Sequence, residues 1–581
     1  MKNLMIGNEA VARGAYEAGV RAATAYPGTP STEIVSKLAE FSDVYSEWAP
    51  NEKVALEVGA GASIAGVRTL VAMKHVGVNV AADPLYTFSY TGVNGGLVLV
   101  SADDPGMFSS QNEQDNRGYG KFAKLMVLEP SDSQEAKDFT RLAFHLSEYF
   151  DGPIMLRITT RLAHSQTLVE LGEIEQVEIK EYKKEAPKYV MLPGYAKERH
   201  IAVEQRIIKQ REYAETSELN VIQWGDRKLG IVTSGVSYQY VKEVLPHVSV
   251  LKLGIVNPLP ERLIKEFAAG VERLVVVEEL EPFIEEQIKI WGITVEGKNI
   301  FSLVDEYTPE LVEEKLLGNQ QGNDFQFKND LPGRPPLLCP GCPHRGVFYT
   351  LNRMKLTVMG DIGCYTLGAL APLEAIDACI CMGASIGSAL GFEKAKGDAY
   401  DRKTVAVIGD STFVHSGITA LIDVVYNKGT STVLILDNDT TAMTGHQNHP
   451  GTGVTIDNKP THKLDLEALV KAIGVEHVRI VDPLRLNELR KVLQEELARL
   501  EPSVIIAKRP CALIVKDHPK QKYFVDDDKC KSCKLCIKIG CTGISFNDET
   551  KKAYFNEHNC VTCGLCPEVC SFDAISLKEE H

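Results

Sequence analysis

Eight of the 14 cysteines lie within the last fifty-two residues, in two runs of nearly the same spacing. The first run is C-x2-C-x2-C-x4-C and the second is C-x2-C-x2-C-x3-C. With two residues between successive cysteines, one tight loop can present three thiolates to a single iron–sulfur cluster, and a fourth ligand must come from elsewhere. Zinc sites and structural disulfides are the alternatives. The repeated triple motif favours two [4Fe–4S] clusters.

These runs resemble those of bacterial two-cluster ferredoxins, in which the fourth cysteine of each run binds the other cluster. The sequence departs from the usual motif in its x4 spacing and in having Thr542 and Ser571 where proline often follows. We expect an altered loop and no loss of a cluster. The resemblance implies one cluster on Cys530, Cys533, Cys536 and Cys570, and a second on Cys560, Cys563, Cys566 and Cys541.

Two polar groups upstream follow apolar runs that predict neighbouring parallel strands. The run KTVAVIGDS ends at Asp410 and Ser411, and TVLILDND ends at Asn438, with twenty-seven residues between Asp410 and Asn438. That separation suits a crossover helix, which places both side chains at strand carboxyl ends. The two side chains and a backbone carbonyl near Thr440 offer hard oxygens to Mg²⁺ on a diphosphate. The alternative is an ordinary turn.

This layout resembles the thiamine diphosphate motif, GDG followed by a later Asn, with Ser411 in place of the third-position glycine. The resemblance implies Gly409 and Ser411 at the cofactor, and it requires a glutamate that hydrogen-bonds the pyrimidine ring. Glu52 lies nine residues before Gly61, an offset similar to that in transketolase and acetolactate synthase. Glu57 is the rival, and a solvated helix carboxylate is the alternative for either.

The motif YPGTPSTEI, Glu52, the Gly409–Asn438 pair and the cysteine tail occur in one order. Together they resemble the 2-oxoacid:ferredoxin oxidoreductases over essentially the whole chain. The resemblance implies oxidative decarboxylation of a 2-oxoacid, an aryl pyruvate such as indolepyruvate, to acyl-CoA and CO2 with reduction of ferredoxin. It also implies a beta subunit and a hetero-oligomer. Branched-chain acids or pyruvate, a non-oxidative decarboxylase, and an electron-transfer subunit without thiamine are the alternatives.

The same resemblance implies further site residues. Thr29 contacts the substrate, while Gly363, Gly383 and His344 lie at the cofactor. His75 and Arg117 are weaker substrate candidates. A third [4Fe–4S] cluster is implied beside the thiamine, and the alternative is a set of buried small side chains. Its ligands are Cys339, Cys342, Cys364 and Cys511.

Composition excludes several classes of protein. A net charge of −15 argues against a nucleic-acid-binding protein. There is no run of about twenty apolar residues, which predicts no membrane span. The first residues lack the pattern of a signal peptide, so we expect a cytoplasmic chain whose cysteines bind metal. Cys379 and Cys381 alternate in an apolar run and are predicted to be core residues of a strand.

Strand-like runs that alternate with helical patterns predict an α/β fold. Several parallel-sheet domains of the thiamine-diphosphate-enzyme type precede a small ferredoxin-like α+β domain. A polar linker is predicted over Gly318–Pro336. The predicted domains are pyrimidine-binding (residues 1–180), a middle domain similar to the transketolase C-terminal domain (181–318), diphosphate- and magnesium-binding (335–518), and ferredoxin-like with two clusters (520–581).

Overall fold

The computed structural model describes residues 1–318, 335–397, 404–519 and 521–578. The chain divides into two compact units, Met1–Phe327 and Lys328–His581. Most of the predicted linker, and residue 520 at the predicted start of the last domain, lie outside the described residues. Among the described residues, no helix is long and apolar enough to cross a membrane.

The first unit alternates strands with helices along most of its length. Its described strands are β1 (Lys2–Ile6), β2 (Ala22–Ala25), β3 (Tyr45–Trp48), β4 (Thr69–Lys74), β5 (Leu97–Asp103), β6 (Met126–Leu128), β7 (Ile154–Thr159), β8 (Gln166–Glu170), β9 (Asn220–Gln223), β10 (Asp226–Ser234), β11 (Val248–Leu253), β12 (Ile255–Asn257) and β13 (Arg273–Val277). Its described helices are α1 (Gly7–Glu17), α2 (Thr32–Leu38), α3 (Glu52–Ala65), α4 (His75–Val80), α5 (Ala82–Thr91), α6 (Arg117–Phe122), α7 (Ser133–Phe150), α8 (Thr160–His164), α9 (Ala186–Tyr189), α10 (Pro193–Ala214), α11 (Ser237–Val244), α12 (Glu261–Ala269), α13 (Phe283–Ile290) and α14 (Pro309–Leu317).

Seven of these strands form one sheet, in the order β12-β6-β7-β5-β4-β2-β3. All pairs are parallel except β12 with β6. Strands β4, β5 and β7 are buried along their whole length, as expected for a parallel sheet covered on both faces. A second sheet has the order β13-β10-β11-β9. Because β12 belongs to the segment after residue 180, the first two predicted domains share a sheet.

The second unit contains a parallel sheet and the cysteine tail. Its described strands are β14 (Thr357–Met359), β15 (Thr404–Gly409), β16 (Thr432–Asp437), β17 (His477–Val481), β18 (Ser503–Lys508), β19 (Tyr523–Val525), β20 (Ile544–Asn547), β21 (Lys552–Phe555) and β22 (Ile575–Leu577). Its described helices are α15 (His344–Met354), α16 (Ala384–Lys396), α17 (Asp410–Thr412), α18 (Ile418–Tyr426), α19 (Leu466–Ile473), α20 (Leu486–Leu497) and α21 (Leu565–Val569).

The parallel sheet has the order β14-β15-β16-β18-β17, and the tail adds two antiparallel pairs, β19-β22 and β20-β21. The predicted α/β fold with a ferredoxin-like tail is confirmed. The prediction for Cys379 and Cys381 is wrong, because both side chains are exposed and the segment forms no strand. An alternating pattern is not enough for a strand where only an isolated bridge, Met359 to Ala378, pairs the backbone.

A buried arginine joins the tail to the parallel-sheet part of the second unit. Arg345 is 2% exposed. Its Nη1 donates to the Ile539 and Gly540 carbonyls, at 3.1 and 2.5 Å, and its Nε donates to the Cys339 carbonyl at 3.0 Å. Its Nη2 donates to the Leu338 carbonyl. One cation therefore links the first cysteine pair of the unit to the tail.

We expect Arg345→Ala to loosen the tail, because a hydrogen bond to a charged group contributes about 1.5–3 kcal/mol and several are lost together. Limited proteolysis under anaerobic conditions should cut near residue 520 faster in this variant than in the wild type. Arg353→Ala, which removes an exposed arginine of the same helix, is the matched control. Equal cleavage rates for Arg345→Ala and Arg353→Ala would contradict the prediction.

Candidate functional site

In the first unit, the predicted substrate turn lies beside the end of β4. Ser31 Oγ donates to the Gly28 carbonyl at 2.8 Å and closes the turn that contains Thr29. A Cβ placed on Gly28 would stand 3.1 Å from Lys74 Cβ, so the turn packs directly against the last residue of β4. Thr29 therefore lies next to the junction between β4 and α4.

The structure separates the two candidate glutamates. Glu52 begins α3 and is buried, with 5% of its surface exposed. A Cβ on Gly77 would meet Glu52 Oε1 at 2.8 Å, so this carboxyl packs against the α4 backbone. Glu57 is exposed and pairs with Lys53 one helical turn away. Of the two candidates, Glu52 is thus the buried one and Glu57 the exposed one.

The two weaker candidates have different surroundings. Arg117 is fully buried, and its guanidinium donates to the carboxylates of Asp115 and Glu278 and to the Glu279 and Glu281 carbonyls. These partners use the donors of the guanidinium inside the protein, so Arg117 stabilises the fold. His75 is buried at the start of α4, with Nε2 3.2 Å from Asn112 Oδ1 and Nδ1 without a hydrogen-bond partner among the described residues.

In the second unit, Asp410 and Asn438 lie side by side at the carboxyl ends of β15 and β16. The two strands are parallel neighbours, with Gly409 opposite Leu436. Asp410 Oδ1 and Oδ2 accept from the backbone N–H groups of Ser411, at 2.8 Å, and Asn438, at 3.1 Å. Both side chains are buried.

The Asn438 amide meets two other oxygens. One of its terminal atoms lies 2.9 Å from the Thr440 carbonyl oxygen and 3.2 Å from Asp410 Oδ1. If that atom is nitrogen, it donates to both; if it is oxygen, three oxygens face one another and need a cation between them. Octahedral Mg²⁺ with ligands at 2.0–2.1 Å holds adjacent oxygens about 3 Å apart. The donor set therefore fits magnesium.

Other predicted cofactor residues surround this point. His344 is buried at the start of α15, and burial lowers its pKa to about 4 although Asp410 raises it, so it is neutral at pH 7. Gly363 and Gly409 both border the Tyr365 ring, which a Cβ would meet at 2.4 and 2.8 Å. Thr441 Oγ1 donates to Ser411 Oγ at 3.0 Å.

The sequence did not indicate two further buried residues at this edge of the sheet. His449 Nε2 lies 3.3 Å from Asp410 Oδ2 without making a hydrogen bond. Asp361 accepts from the backbone N–H groups of Gly383, at 2.7 Å, and Ser385, at 3.0 Å. Asp361 therefore fixes the start of α16. Asp361 could have been predicted from the sequence, because it follows a short apolar strand as Asp410 does.

The structure brings the eight tail cysteines into the two groups that the ferredoxin resemblance implies. Burial and then Cys533, Cys530 and Cys570 raise the pKa of Cys536 to about 11. Burial raises the pKa of Cys566 well above its usual value, and Cys541, Cys563, Cys536 and Cys560 raise it further, in decreasing order. One tail cavity is lined by Cys530, Cys533, Cys536 and Cys570 and by apolar side chains, including Phe546 and Ile575.

The first tail group lines a space inside the tail. Within the described ranges, no three histidine, cysteine or acidic side chains converge closely enough to hold one metal ion. Backbone N–H groups of Gly543 and Ala574 donate to Cys541 Sγ and Cys570 Sγ, both at 3.4 Å.

A third group consists of Cys339, Cys342, Cys364 and Cys511. Burial, with Cys364 and Cys511, raises the pKa of Cys342 to about 12; burial, with Cys511 and Cys339, raises that of Cys364 to about 11. Gly341, between the first two cysteines, has a φ of +73°. A Cβ there would meet Val561 Cγ2 at 2.3 Å and Cys563 Cβ at 3.6 Å. The third group therefore packs directly against a cysteine loop of the tail.

Comparisons with known proteins agree with this geometry. A family model described as "Pyruvate flavodoxin/ferredoxin oxidoreductase, thiamine diP-bdg" matches residues 13–224, and one described as "Thiamine pyrophosphate enzyme, C-terminal TPP binding domain" matches residues 361–507. The chain is 42% identical to the indolepyruvate oxidoreductase subunit IorA of Archaeoglobus fulgidus, across 100% of this chain and 98% of that one. The IorA subunits of Pyrococcus abyssi and Methanothermobacter thermautotrophicus are 43% and 39% identical, each across 99% of this chain and 97% of theirs.

The fold, the site and the two family models define a subunit of a thiamine-diphosphate-dependent 2-oxoacid:ferredoxin oxidoreductase, as the sequence predicted. The full-length relatives narrow this class. The chain belongs to the IorA family of indolepyruvate oxidoreductase subunits. These relatives are named as subunits.

We expect Asp410→Asn to weaken binding of magnesium and thiamine diphosphate by at least about 100-fold, since even outer-shell changes at metal sites cost 10- to 100-fold. Titration of the thiamine-free complex with thiamine diphosphate at fixed Mg²⁺ measures this directly. Asp423→Asn, at an exposed carboxylate of α18, is the control. Retention of wild-type cofactor affinity by Asp410→Asn would contradict the assignment.

Proposed function

We propose that this chain is the alpha subunit of an enzyme that oxidatively decarboxylates an aryl pyruvate such as indolepyruvate. The products are acyl-CoA, CO2 and reduced ferredoxin, and a beta subunit completes the enzyme. The observation that carries the proposal is the set of potential ligands found together in the second unit. Asp410, Asn438 and the Thr440 carbonyl lie together at the ends of two strands, and twelve cysteines of the same unit supply the thiols that we propose as ligands of three clusters.

The residues of the chain have separate roles in this proposal. Thiamine diphosphate, when bound, supplies a ring that stabilises the electron pair released on loss of CO2. Asp410, Asn438 and the Thr440 carbonyl would hold the magnesium ion, and neutral His344 lies near Asp410. Glu52 holds a proton at the pyrimidine ring nitrogen, in surroundings that exclude water. Thr29 orients the substrate beside the end of β4.

Three clusters are proposed in the second unit. The two tail groups each take a [4Fe–4S] cluster, and the group of Cys339, Cys342, Cys364 and Cys511 takes the third. Bound clusters supply one-electron carriers. The protein holds their ligands on packed loops, and the close approach at Gly341 keeps the third group next to Cys563. The alternative for this third group, small buried side chains without metal, remains the one to test.

The function is tested with the anaerobically purified complex of this chain and its partner subunit. We expect ferredoxin reduction that depends on both a 2-oxoacid and coenzyme A, with indolepyruvate and phenylpyruvate turned over faster than pyruvate or branched-chain acids. CO2 release without reduction of the acceptor would instead identify a non-oxidative decarboxylase. Preference for pyruvate would contradict the substrate assignment.

Two variants of α3 provide a matched pair for this assay. Glu52→Gln should lower ferredoxin reduction about 100-fold or more, in the range expected for loss of a proton-transfer group. Glu57→Gln removes only an exposed ion pair with Lys53 and should retain activity. Equal losses in the two variants would contradict the role of Glu52.

The third cluster is tested by iron content. We expect about twelve irons per chain in the wild type and about eight in Cys364→Ser, because each [4Fe–4S] cluster carries four irons. Cys379→Ser replaces an exposed cysteine of a nearby segment and should leave the iron content unchanged. A wild-type content of about eight irons would remove the third cluster from the proposal.

A further inference from the structure

Lys74 is a buried cation beside the turn that contains Thr29. It ends β4 and is 9% exposed, and a Cβ added to Gly28 would stand 3.1 Å from Lys74 Cβ. Its ammonium donates to the Ser109 carbonyl, which is the one hydrogen bond the described residues give it. An ammonium has three protons to donate. Two of them are therefore left for a further acceptor.

The surrounding charges do not neutralise Lys74 fully. Asp104 attracts it, but the Asp104 carboxylate already accepts from Ser109 N at 2.8 Å, Ser110 Oγ at 2.5 Å and Thr160 Oγ1 at 2.6 Å. No carboxylate of the described residues forms an ion pair with Lys74. Burial lowers the pKa of Lys74 to about 8, although Asp104 raises it. A buried cation that is kept without an ion-pair partner is a candidate for binding an anion.

Other cationic or polar candidates near this junction are less available. The Arg117 guanidinium is occupied by two carboxylates and two carbonyls. His75 follows Lys74 directly; its Nε2 already contacts Asn112, and its Nδ1 has no hydrogen-bond partner among the described residues. Lys37, on the helix that follows the Thr29 turn, is partly exposed and pairs with Glu40 at 3.1 Å. Lys74 thus combines burial, spare donors and contact with the substrate turn.

We propose that Lys74 binds the carboxylate of the 2-oxoacid substrate. This inference rests on the proposed function, because it takes its ligand from that reaction. An ammonium against the carboxylate and a hydroxyl at Thr29 together recognise the two adjacent functional groups of a 2-oxoacid. The same ammonium gives no advantage to an aldehyde or an ester, so Lys74 selects acids irrespective of the side chain they carry.

The test measures binding in the thiamine-free complex, where no turnover occurs. The probes are phenylpyruvate and its methyl ester, which keeps the ketone and ring but has no charge. Lys74→Gln removes the charge while retaining a donor for the Ser109 carbonyl, so the loop at residues 104–113 is preserved. Lys74→Arg retains the charge, and Lys37→Gln is the matched control. Thermal unfolding of each variant reports its folding.

We expect Lys74→Gln to weaken phenylpyruvate binding by about 10- to 100-fold, the range for loss of a hydrogen bond to a charged group, with the ester unaffected. Lys74→Arg should recover part of the affinity for the acid, and Lys37→Gln should bind both probes as the wild type does. Equal weakening of acid and ester by Lys74→Gln would assign Lys74 a structural role and overturn the proposal. Unchanged affinity for the acid would overturn it as well.

If the acid-selective loss at Lys74 is absent while ferredoxin is still reduced from aryl pyruvates, only this inference fails. If aryl pyruvates are not oxidised at all, the proposed function fails first. The binding and turnover measurements therefore distinguish the two failures.

Discussion

The buried guanidinium of Arg345 is the interaction on which the arrangement of the second unit depends. It donates to four backbone carbonyls, those of Leu338 and Cys339 and those of Ile539 and Gly540 near Cys541. A buried cation held this way is stabilised only while all its acceptors stay in place. The tail is consequently fixed against the parallel-sheet part of the unit. This fixed packing keeps the group of Cys339, Cys342, Cys364 and Cys511 close to the tail loop that contains Cys563.

The close packing also explains why small residues occupy particular positions. At Gly341 the backbone has a φ of +73°, and any Cβ would overlap Val561 of the tail. This glycine permits the third cysteine group to approach Cys563, while Asp410 and Asn438 place the proposed magnesium site in the same unit. The proposed magnesium site and the proposed cluster ligands therefore lie within one compact unit.

Much of this could be predicted from the sequence, where chemistry is encoded in local spacing. The C-x2-C-x2-C runs specify a loop, so the sequence predicted the grouping of the tail cysteines. Asp410 and Asn438 both follow apolar strands, so the sequence also predicted their places at strand ends. The roles of Arg345 and Lys74 were not, because their partners lie up to 195 residues away in sequence. The alternating pattern at Cys379 and Cys381 predicted a buried strand, and this prediction was wrong. A local pattern does not determine whether a neighbouring strand is available to pair with the segment. Glu52 and Glu57 were separated only by burial, which is a tertiary property.

The central claim is that three groups of cysteines in one unit enclose iron–sulfur clusters. Anomalous scattering from crystals of the anaerobically purified complex, collected at the iron and zinc absorption edges, tests it most directly. We predict iron signal of cluster size inside each of the three cysteine groups and none attributable to zinc. Single compact peaks with a zinc edge at the tail cysteines would contradict the account.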